Sequence, residues 1–320
     1  VVYSAAKLFF AYGLGNSLTF PFAVGAAAVL LADRPTPAAV MATLRAHQPT
    51  IFCGVPTLFA ALLADDGLSP ATTSTALRVS TSAGEALPRH VGERWQARMG
   101  TEILDGIGST ELLHIFLSNR PGAVRYGTTG RPVPGYDLDL RDDSGGPVAD
   151  GDEGSLWVRG PTACIGYWND RARTQATFHG PWTRTGDRYV RDGDGYYHYV
   201  GRGDDVFKSS DYRISPFELE SALLEHPAVA EAAVVPTPDP LRLFIAKAFV
   251  TLRPAVPPSR ETARDILLFA RQRLPAYQRI RRLEFLELPK TISGKIRRVQ
   301  LRAEEVTLRA GSGRADGEFW

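Results

Sequence analysis

The residues from Gly201 to Glu220 read GRGDDVFKSSDYRISPFELE, and this stretch divides the chain. Its first half is charged and rich in glycine, which makes it poor material for a hydrophobic core. Its second half begins a helix, because Ser215 can cap free backbone N–H groups, Pro216 suits the first helical position and Glu218 can complete a capping box. By composition alone the stretch is typical of a solvated loop. With its neighbouring motifs, we interpret it as the connection between two folded domains.

Length and composition indicate a globular protein of two domains. A chain of 320 residues is long enough for two, and a hydrophobic fraction of 44% favours packed cores over disorder. The formal net charge of +2 does not predict a broad basic surface for nucleic acid. Two distant cysteines, Cys53 and Cys164, favour a reducing cytoplasmic setting over a disulfide framework or a zinc site.

An apolar run at residues 18–32 is the candidate for a membrane segment. The run is short, contains Pro21 and Gly25, and is followed by Asp33 and Arg34. We therefore predict a buried strand and helix of the core there rather than a membrane span. No basic-then-apolar signal peptide opens the chain.

The order of apolar and polar segments predicts an α/β fold in three parts. Residues 1–120 alternate strands with helices, which predicts a mostly parallel sheet with helices on both faces. Residues 121–200 contain short strands between turn dipeptides, which predicts an antiparallel β-subdomain packed against that sheet. Residues 201–320 have the pattern of a small α+β C-terminal domain, followed after Arg309 by a loosely ordered tail. The predicted helices are 36–47, 56–64, 88–99, 216–226 and 259–274, and the predicted strands are 50–55, 77–82, 101–105, 136–140, 154–159, 196–200, 229–235, 243–251 and 283–288.

Two loops of the first part follow predicted strands. Residues 82–85 read SAGE and residues 106–111 read GIGSTE. Open α/β sheets bind ligands beyond the carboxyl ends of their strands. These two loops are therefore predicted to face a ligand.

Four motifs occur in a fixed order along the second half of the chain. They are TGD at 185–187, GRxDDxxK at 201–208, RIxPxELE at 213–220 and PKTxSGKIRR at 289–298. Together they resemble the adenylate-forming superfamily of acyl-CoA ligases, adenylation domains and luciferases. The resemblance extends from the first residues to about Arg298. The stretches KLFFAYGLGN at 7–16 and DGIGSTELLHIFLSNRPG at 105–122 are most similar to the benzoate–CoA ligase branch.

The resemblance implies a two-step ligase reaction. ATP would activate a benzoate-like aryl acid to an acyl-AMP, and the acyl group would pass to coenzyme A, with Mg²⁺ as the metal. Both partners of the first step are anions, so the site needs cations and backbone N–H groups near the phosphorus. Two alternatives remain open: an enzyme that loads the phosphopantetheine of a carrier protein, and a fragment that binds nucleotide without turnover. No nucleic-acid or membrane partner is expected, and a homodimer is compatible with the resemblance.

The resemblance also assigns a nucleotide site. Thr110 would bond the α-phosphate, and Glu111 would be the Mg²⁺ ligand, a hard oxygen donor. Asp187 would accept hydrogen bonds from the ribose hydroxyls, with support from Arg202. By spacing alone, Thr110 and Glu111 could instead be a simple helix cap, and the turn at Asp187 could be an ordinary one. The remaining nucleotide residues are Gly84, Glu85, Asp105 and Ile107, and in much of the family an aromatic residue stands at the Ile107 position.

A pocket for the acid is implied by the benzoate–CoA ligase resemblance. A flat and apolar pocket would suit a small aryl acid. By the sequence alone, His114 could equally be a satisfied core histidine. The assigned pocket residues are Ala11, Tyr12, Gly13, Gly108, His114 and Ile115.

The second half of the chain supplies the residues assigned to the two half-reactions. Lys295 would neutralise charge in the adenylation transition state, and the C-terminal domain would then rotate about a hinge at Asp204. By composition alone, Lys295 could be a solvent-facing lysine in a basic patch. Lys208, Asp211 and Arg213 would line the thiol channel, although the family usually has glycine at the Asp211 position.

One family element does not occur in the sequence. No Gly-rich, Ser/Thr-rich phosphate loop ending in Pro-Lys occurs, nor a GxxxxGK[ST] motif. The family carries such a loop upstream of the matched region. We therefore expect an N-terminally truncated chain that is inactive alone.

Overall fold

The structure is a computed structural model that describes residues 1–209, 212–239, 242–290, 296–310 and 317–319, with the backbone alone at Leu243. The internal contacts divide the chain into two compact units, Val1–Tyr199 and Val200–Trp320. In the described part of the chain, no helix has the length and apolar character needed to cross a membrane.

A seven-stranded sheet forms the centre of the first unit. Its strands are β1 (Val2–Ser4), β2 (Ala28–Val29), β3 (Ile51–Gly54), β4 (Val79–Ser82), β5 (Glu102–Gly108), β6 (Ile115–Ser118) and β7 (Arg131–Pro132). The spatial order is β2-β1-β3-β4-β5-β6-β7, and the pairs from β2 to β5 are parallel. The pairs β5–β6 and β6–β7 are antiparallel. The prediction of a mostly parallel sheet is confirmed.

Helical segments connect the strands of this sheet. They are α1 (Ala11–Leu14), a π-helix (Gly15–Thr19), α2 (Phe20–Ala23), α3 (Pro37–His47), α4 (Pro56–Leu63), α5 (Arg89–Met99) and a 3₁₀ turn (Thr110–Leu112). Thr36 caps α3 by accepting the Ala39 N–H, as Ser, Thr, Asp and Asn do at helix starts. The core contains Phe52, Phe59 and Trp95, and the Phe59 ring meets the Trp95 ring edge-on at 4.8 Å.

The antiparallel subdomain follows the first sheet in sequence. It contains β8 (Asp137–Arg141), β9 (Glu153–Arg159), α6 (Arg171–Thr177), β10 (Phe178–His179), β11 (Trp182–Arg191) and β12 (Tyr197–Arg202). The strand order is β10-β11-β9-β8, and β12 pairs with β11. Leu140 and Leu156 share one hydrophobic cluster with Phe116 of the first sheet. The predicted β-subdomain is therefore confirmed.

The second unit is an α+β body with its own core. Its elements are β13 (Phe207–Ser209), β14 (Tyr212–Ile214), α7 (Pro216–Leu224), β15 (Val229–Asp239), β16 (Leu243–Leu252), α8 (Arg260–Arg273), a 3₁₀ turn (Ala276–Gln278), β17 (Ile280–Phe285), α9 (Arg298–Ala310) and β18 (Glu318–Phe319). The larger sheet has the order β15-β16-β17-β18. Ser215 caps α7 by accepting the Glu218 N–H at 3.4 Å, as the sequence predicts.

The apolar run at residues 18–32 differs from its prediction. The segment forms the end of the π-helix, the short helix α2 and strand β2, and most of its side chains are not buried. The Phe22 and Val24 side chains are 65% and 79% exposed. These side chains belong to α2 and to its C-cap, which precede the outermost strand β2, whereas Val29 of β2 packs partly against the core.

Two predictions near the end of the chain are also corrected. The last long strand is Ile280–Phe285 rather than 283–288, because its pairing with β16 begins at Ile280, opposite Ala246. The prediction of a loosely ordered tail is wrong for the described residues, since α9 runs to Ala310 and Glu318 and Phe319 form β18 against β17. Buried ion pairs of Glu318 hold this last strand in place.

Candidate active site

Tyr12 lies at the carboxyl ends of the central parallel strands. Its hydroxyl is 2.7 Å from the Thr81 Oγ1 atom in β4. Burial raises the pKa of Tyr12 well above its ordinary value, and the nearby Cys53 in β3 and Asp105 in β5 add to this rise. Three neighbouring strands therefore contribute residues around one tyrosine side chain. This is the edge at which open α/β sheets bind ligands.

Two glycines allow the segment around Tyr12 to fold tightly. A Cβ atom on Gly13 would lie 2.0 Å from the Lys7 carbonyl oxygen, and one on Gly15 would lie 2.4 Å from the Cδ2 atom of His114. The helix widens into a π-helix at Gly15–Thr19, a distortion that is frequent at functional sites. The Lys7 ammonium donates hydrogen bonds to the carbonyl oxygens of Ala32 and Asp33, which fixes the start of this segment.

His114 packs directly against Tyr12. The two rings stack with centroids 5.5 Å apart, and the Phe20 ring meets His114 edge-on at 4.7 Å. The His114 Nε2 atom lies 3.4 Å from the Tyr12 carbonyl oxygen. Burial lowers the pKa of His114, so the imidazole is neutral at neutral pH. His114 is thus an uncharged, flat side chain that packs beside Tyr12.

Gly108 brings strands β5 and β6 into close contact beside His114. A Cβ atom on Gly108 would lie 2.3 Å from the His114 carbonyl oxygen, so a larger residue does not fit. Gly108 pairs with Ile115 across the two strands. The structure therefore brings Tyr12, Gly108, His114 and Ile115 together, and Ala11 and Gly13 flank Tyr12 in sequence.

A strained turn connects Glu111 to His114. Leu113 has φ +69° and ψ −50°, and the His114 N–H donates to the Leu112 carbonyl oxygen at 2.8 Å. These values describe a γ-turn of the rare form, and such a backbone costs on the order of 1–3 kcal/mol. Strain of this kind is concentrated at active sites and ligand clamps.

Glu111 is held as an ionised carboxylate. Partial burial acts to raise its pKa, but the hydrogen bond from the Tyr167 hydroxyl, with support from Ser109 and Arg173, lowers it below the ordinary value. The Tyr167 Oη–Glu111 Oε1 distance is 2.6 Å. Thr110 begins the 3₁₀ turn one residue earlier and is exposed. The carboxylate is therefore available to a cation next to the predicted phosphate-binding hydroxyl.

Two of the residues predicted to bind the nucleotide, Asp105 in β5 and Asp187 in β11, lie near the same side chain. Asp105 is buried, which raises the pKa of its carboxyl well above the ordinary value despite backbone hydrogen bonds from Leu87 and Gly106. Burial raises the pKa of Tyr189 well above its ordinary value, and both Asp187 and Asp105 add to the rise. These two carboxyl groups therefore lie near one buried tyrosine.

The two loop residues and Ile107 have distinct environments. Gly84 has φ +98°, a conformation that favours glycine, and Glu85 follows it in the loop after β4. Ile107 packs against the hydrophobic cluster that contains Leu112 and Phe116. The loop after β4 thus stands beside the strand that carries Asp105 and Ile107.

Several buried polar atoms near these strand ends have no hydrogen-bond partner among the residues that the structure describes. Buried polar groups are nearly always paired, so such atoms indicate the position of a ligand or water. The atoms are Ser17 Oγ, Ser82 Oγ and Asp105 Oδ1.

The remaining predicted residues belong to the second unit, which we describe by itself. Arg202 has its Nε atom 3.6 Å from the Asp204 carboxylate, and the Arg302 guanidinium donates to the Asp204 carbonyl oxygen at 2.6 Å. Lys208 and Arg213 are paired directly across the β13–β14 hairpin. Asp211 and Lys295 lie outside the described residues.

Comparison with known proteins identifies the family. The sequence model of AMP-binding enzymes matches residues 1–168, and that of the AMP-binding enzyme C-terminal domain matches residues 218–295. The chain belongs to the AMP-binding enzyme family.

The relatives are aryl-acid ligases by name. The chain is 54% identical over 305 residues to the benzoate–CoA ligase of Thauera aromatica, covering 95% of this chain and 58% of the relative. It is 48% identical over 311 residues to the 4-hydroxybenzoate–CoA/benzoate–CoA ligase of Rhodopseudomonas palustris, covering 96% and 57%. The chain thus spans somewhat more than half the length of these relatives.

Two solved structures have the same fold as this AMP-binding enzyme. A benzoate CoA ligase from Burkholderia xenovorans is 53% identical, with a TM-score of 0.88, and the match covers 94% of this chain and 60% of that one. The anthranilate CoA ligase AuaEII in complex with anthranoyl-AMP is 42% identical, with a TM-score of 0.92 and coverage of 96% and 60%. The predicted α/β fold with a separate C-terminal domain is therefore confirmed.

The described residues suit a magnesium ion that would be bound by one protein carboxylate together with substrate phosphates and water. Among the residues with described positions, no group of three or more His, Cys, Asp or Glu side chains could hold a metal ion. Mg²⁺ typically takes one or two carboxylates and completes its shell with water and substrate phosphates. Glu111, half-buried and ionised, meets the protein's share of that requirement.

Sequence reasoning missed three residues of this site. Thr81 and Tyr167 bond Tyr12 and Glu111, but they are distant from them in sequence and carry no motif of their own. Asn16 ends the KLFFAYGLGN stretch and lies four residues after Tyr12. Its helical spacing from Tyr12 was the one signal that could have identified it.

Proposed function

We propose that the complete protein uses ATP to activate a benzoate-like aryl acid as an acyl-AMP and transfers the acyl group to coenzyme A. The observation that carries this proposal is the wall formed by Tyr12, Gly108, His114 and Ile115. In the sequence, His114 follows the ionised Glu111 by three residues. The names of the relatives agree with an aryl acid as the substrate.

The wall suits a flat aryl ring for two physical reasons. Stacked and edge-on aromatic contacts favour another ring, because the faces and edges of aromatic rings carry complementary partial charges. His114 is neutral, so the wall carries no fixed positive charge that would hold the carboxylate of the acid away from the phosphorus. The acid can then present its carboxylate towards the Thr110–Glu111 turn.

In the first half-reaction, a carboxylate oxygen attacks the α-phosphorus of ATP and pyrophosphate leaves. We assign the α-phosphate contact to the Thr110 hydroxyl and the ribose hydroxyls to Asp187, with Arg202 in support. Mg²⁺ held by Glu111 would neutralise charge on the phosphate oxygens. Gly84, Glu85, Asp105 and Ile107 are proposed to surround the adenine.

In the second half-reaction, the CoA thiolate attacks the acyl carbonyl and AMP leaves. We assign Lys295 to the first step, Asp204 to the hinge, and Lys208, Asp211 and Arg213 to the thiol channel. Lys208 and Arg213 face each other across the β13–β14 hairpin. A cytoplasmic location and a homodimer stay predictions.

The test is a panel of acids with ATP and CoA, performed on the complete gene product. We expect benzoate to exceed a straight-chain acid of similar size by at least tenfold in kcat/KM, about 1.4 kcal/mol. A tenfold preference for the straight-chain acid would contradict the aryl-acid assignment. Transfer to a carrier protein but not to free CoA would favour the carrier-loading alternative, and absence of pyrophosphate release with every acid would favour a non-catalytic binding protein.

A further inference from the structure

We propose that Glu220 is a positioning residue for the first half-reaction, because its ion pair with Arg298 fixes the chain segment that follows Lys295. This inference rests on the proposed function, in which Lys295 acts on the adenylation transition state. Glu220 ends the RIxPxELE motif at 213–220, and only Arg213 of that motif has a role in the assigned chemistry.

Glu220 holds Arg298 in a bidentate ion pair. The Arg298 Nε atom donates to Glu220 Oε1 at 2.8 Å, and its Nη2 atom donates to Oε2 at 2.6 Å. The Oε1 atom also accepts the Val234 N–H at 2.8 Å, and Glu220 is 4% exposed. A pair with two parallel hydrogen bonds fixes orientation as well as distance. One carboxylate therefore joins helix α7, strand β15 and the first residue of helix α9.

The chain on either side of residues 291–295 meets in a short paired region. Lys290 and Ile296 form a β-bridge, and the Arg297 N–H donates to the Pro289 carbonyl oxygen at 2.8 Å. These four residues form the base of the segment. The Ile296 side chain packs against a hydrophobic cluster of the second unit. Arg298 follows directly and begins α9, so its ion pair with the α7 carboxylate holds the base against the body of the unit.

A fixed base limits where Lys295 can lie, because Lys295 directly precedes Ile296 in the sequence. Consecutive Cα atoms are about 3.8 Å apart, so a displacement of Ile296 is passed on to its neighbour. A misplacement of about 1 Å by a change far from the chemistry can cost on the order of 100-fold in rate. Loss of the ion pair should therefore slow the step assigned to Lys295 and spare the second half-reaction.

A second ion pair of helix α7 provides the matched control. Glu225 at the C-cap of α7 accepts from the Arg273 Nε atom at 2.9 Å. The Glu225 and Arg273 side chains are 46% and 41% exposed, and neither belongs to the base. Exposed pairs contribute little to stability, whereas the loss of one partner from a buried pair leaves an uncompensated charge. Glu225→Gln thus removes one carboxylate from the same helix without touching the base.

The first experiment measures the two half-reactions separately on the complete gene product. Glu220→Gln keeps an acceptor for the Val234 N–H and removes the charge that Arg298 binds. We expect acid-dependent pyrophosphate release to fall at least tenfold in kcat, and thioester formation from supplied benzoyl-AMP and CoA to keep the parent rate. Arg298→Lys keeps the charge but loses the bidentate geometry, so it should show a smaller loss of the same kind. Glu225→Gln should change neither rate. Equal losses in both half-reactions, or no loss in the first, would overturn the proposal.

The second experiment needs no turnover. Hydrogen exchange of a peptide over residues 296–301, measured by mass spectrometry, reports the protection of the Arg297 N–H at the base. We expect this exchange to become at least tenfold faster in Glu220→Gln and to stay unchanged in Glu225→Gln.

Two outcomes of the exchange experiment would overturn the proposal. One is unchanged exchange of the peptide in Glu220→Gln. The other is faster exchange throughout the second unit, which would make Glu220 a general structural residue. A parent protein that releases no pyrophosphate with any acid would contradict the proposed function, while the exchange would still decide whether Glu220 fixes the base.

Discussion

One hydroxyl group contributes to the lowered pKa of Glu111. Tyr167 donates a 2.6 Å hydrogen bond to the carboxylate, and burial raises the pKa of Tyr167 with a further rise from Glu111, so the phenol stays protonated and remains a donor. Hydrogen bonds to the charged form of a carboxyl group favour that form. Tyr167 therefore helps to keep Glu111 ionised and able to bind a cation.

We predict that Tyr167→Phe shifts the acid limb of adenylation to higher pH. The pKa of Glu111 is lowered in the folded protein, so the carboxylate loses its charge only when the pH falls through that lowered value. Without the phenol the pKa moves up, and protonation begins at higher pH. The measurement is the pH profile of acid-dependent pyrophosphate release by the complete protein.

Tyr196→Phe is the matched control for this prediction. Its hydroxyl donates to the Ala123 carbonyl oxygen at 3.2 Å, so the variant also removes one tyrosine hydrogen bond but has no contact with Glu111. Its pH profile should overlay that of the parent protein. An acid limb that stays in place in Tyr167→Phe would mean that another group controls the cation site.

The sequence named candidate residues inside motifs and did not name their contact partners. Gly108, Glu111 and His114 could be named together because they lie in one contiguous stretch. Tyr167 was missed because its contact with Glu111 joins residues 56 positions apart, and no local pattern encodes such a pair. The roles assigned to the individual site residues stay predictions.

At the scale of elements, a buried ion cluster joins three strands and a helix of the second unit. Lys247 in β16 is 0% exposed. Its ammonium lies 2.8 Å from Glu284 in β17, 2.7 Å from Glu305 in α9 and 3.3 Å from Glu318 in β18. Arg309 also contacts Glu305 and Glu318. One lysine therefore connects the last strand to the body of the sheet.

We predict that Lys247→Met destabilises the second unit by about 3–5 kcal/mol. Removal of one partner from a buried ion pair leaves uncompensated charge, and this is the main source of the penalty. The measurement is urea unfolding of the 320-residue chain, which should show a second-unit transition at lower denaturant. The double variant Lys247→Met/Glu305→Leu should recover part of the loss.

The loss of stability caused by Lys247→Met should also depend on pH. Burial acts to raise the pKa of Glu305, but its hydrogen bonds from Lys247, Thr237 and Arg309 lower it below the ordinary value. A carboxyl group with a lowered folded-state pKa stabilises the protein above its unfolded-state pKa, and the stabilisation is lost as the pH falls. The difference between Lys247→Met and the parent should therefore shrink as the pH falls towards the carboxyl range. A difference independent of pH would contradict this account.

The helices and strands were largely predictable from the sequence. The exceptions, like the missed site residues, depend on contacts between residues that are far apart in the sequence. Helices such as Pro37–His47 and Arg260–Arg273 were found from periodicity and caps. Strand β18 was missed because Gly and Ser precede it and its stability comes from distant charges on Lys247 and Arg309. Helix α2 was given the wrong burial because its apolar sequence does not reveal that it lies next to an edge strand of the sheet.

At the scale of the whole molecule, the two units carry different shares of the proposed chemistry. The first unit contains the wall proposed for the aryl ring, together with Glu111 and Asp187. The second unit contains Arg202, Lys208 and Arg213. The contacts assigned to the α-phosphate, the ribose and the acid are thus represented within the 320 residues. These assignments predict a site for an AMP-shaped or acyl-AMP-shaped ligand.

The β- and γ-phosphates of ATP need a further binding element. They carry most of the charge of ATP, and proteins hold such groups with a nest of backbone N–H groups in a Gly-, Ser- and Thr-rich loop. The 320 residues contain no such sequence. We therefore predict that this chain by itself releases no pyrophosphate from ATP with any acid, and that it binds AMP or acyl-AMP more tightly than ATP. Exposed apolar side chains such as Phe9, Phe22 and Val24 further predict self-association, to be measured by sedimentation. Acid-dependent pyrophosphate release by the 320-residue chain would contradict the prediction, because the phosphates would then be held by backbone groups that carry no recognisable loop sequence.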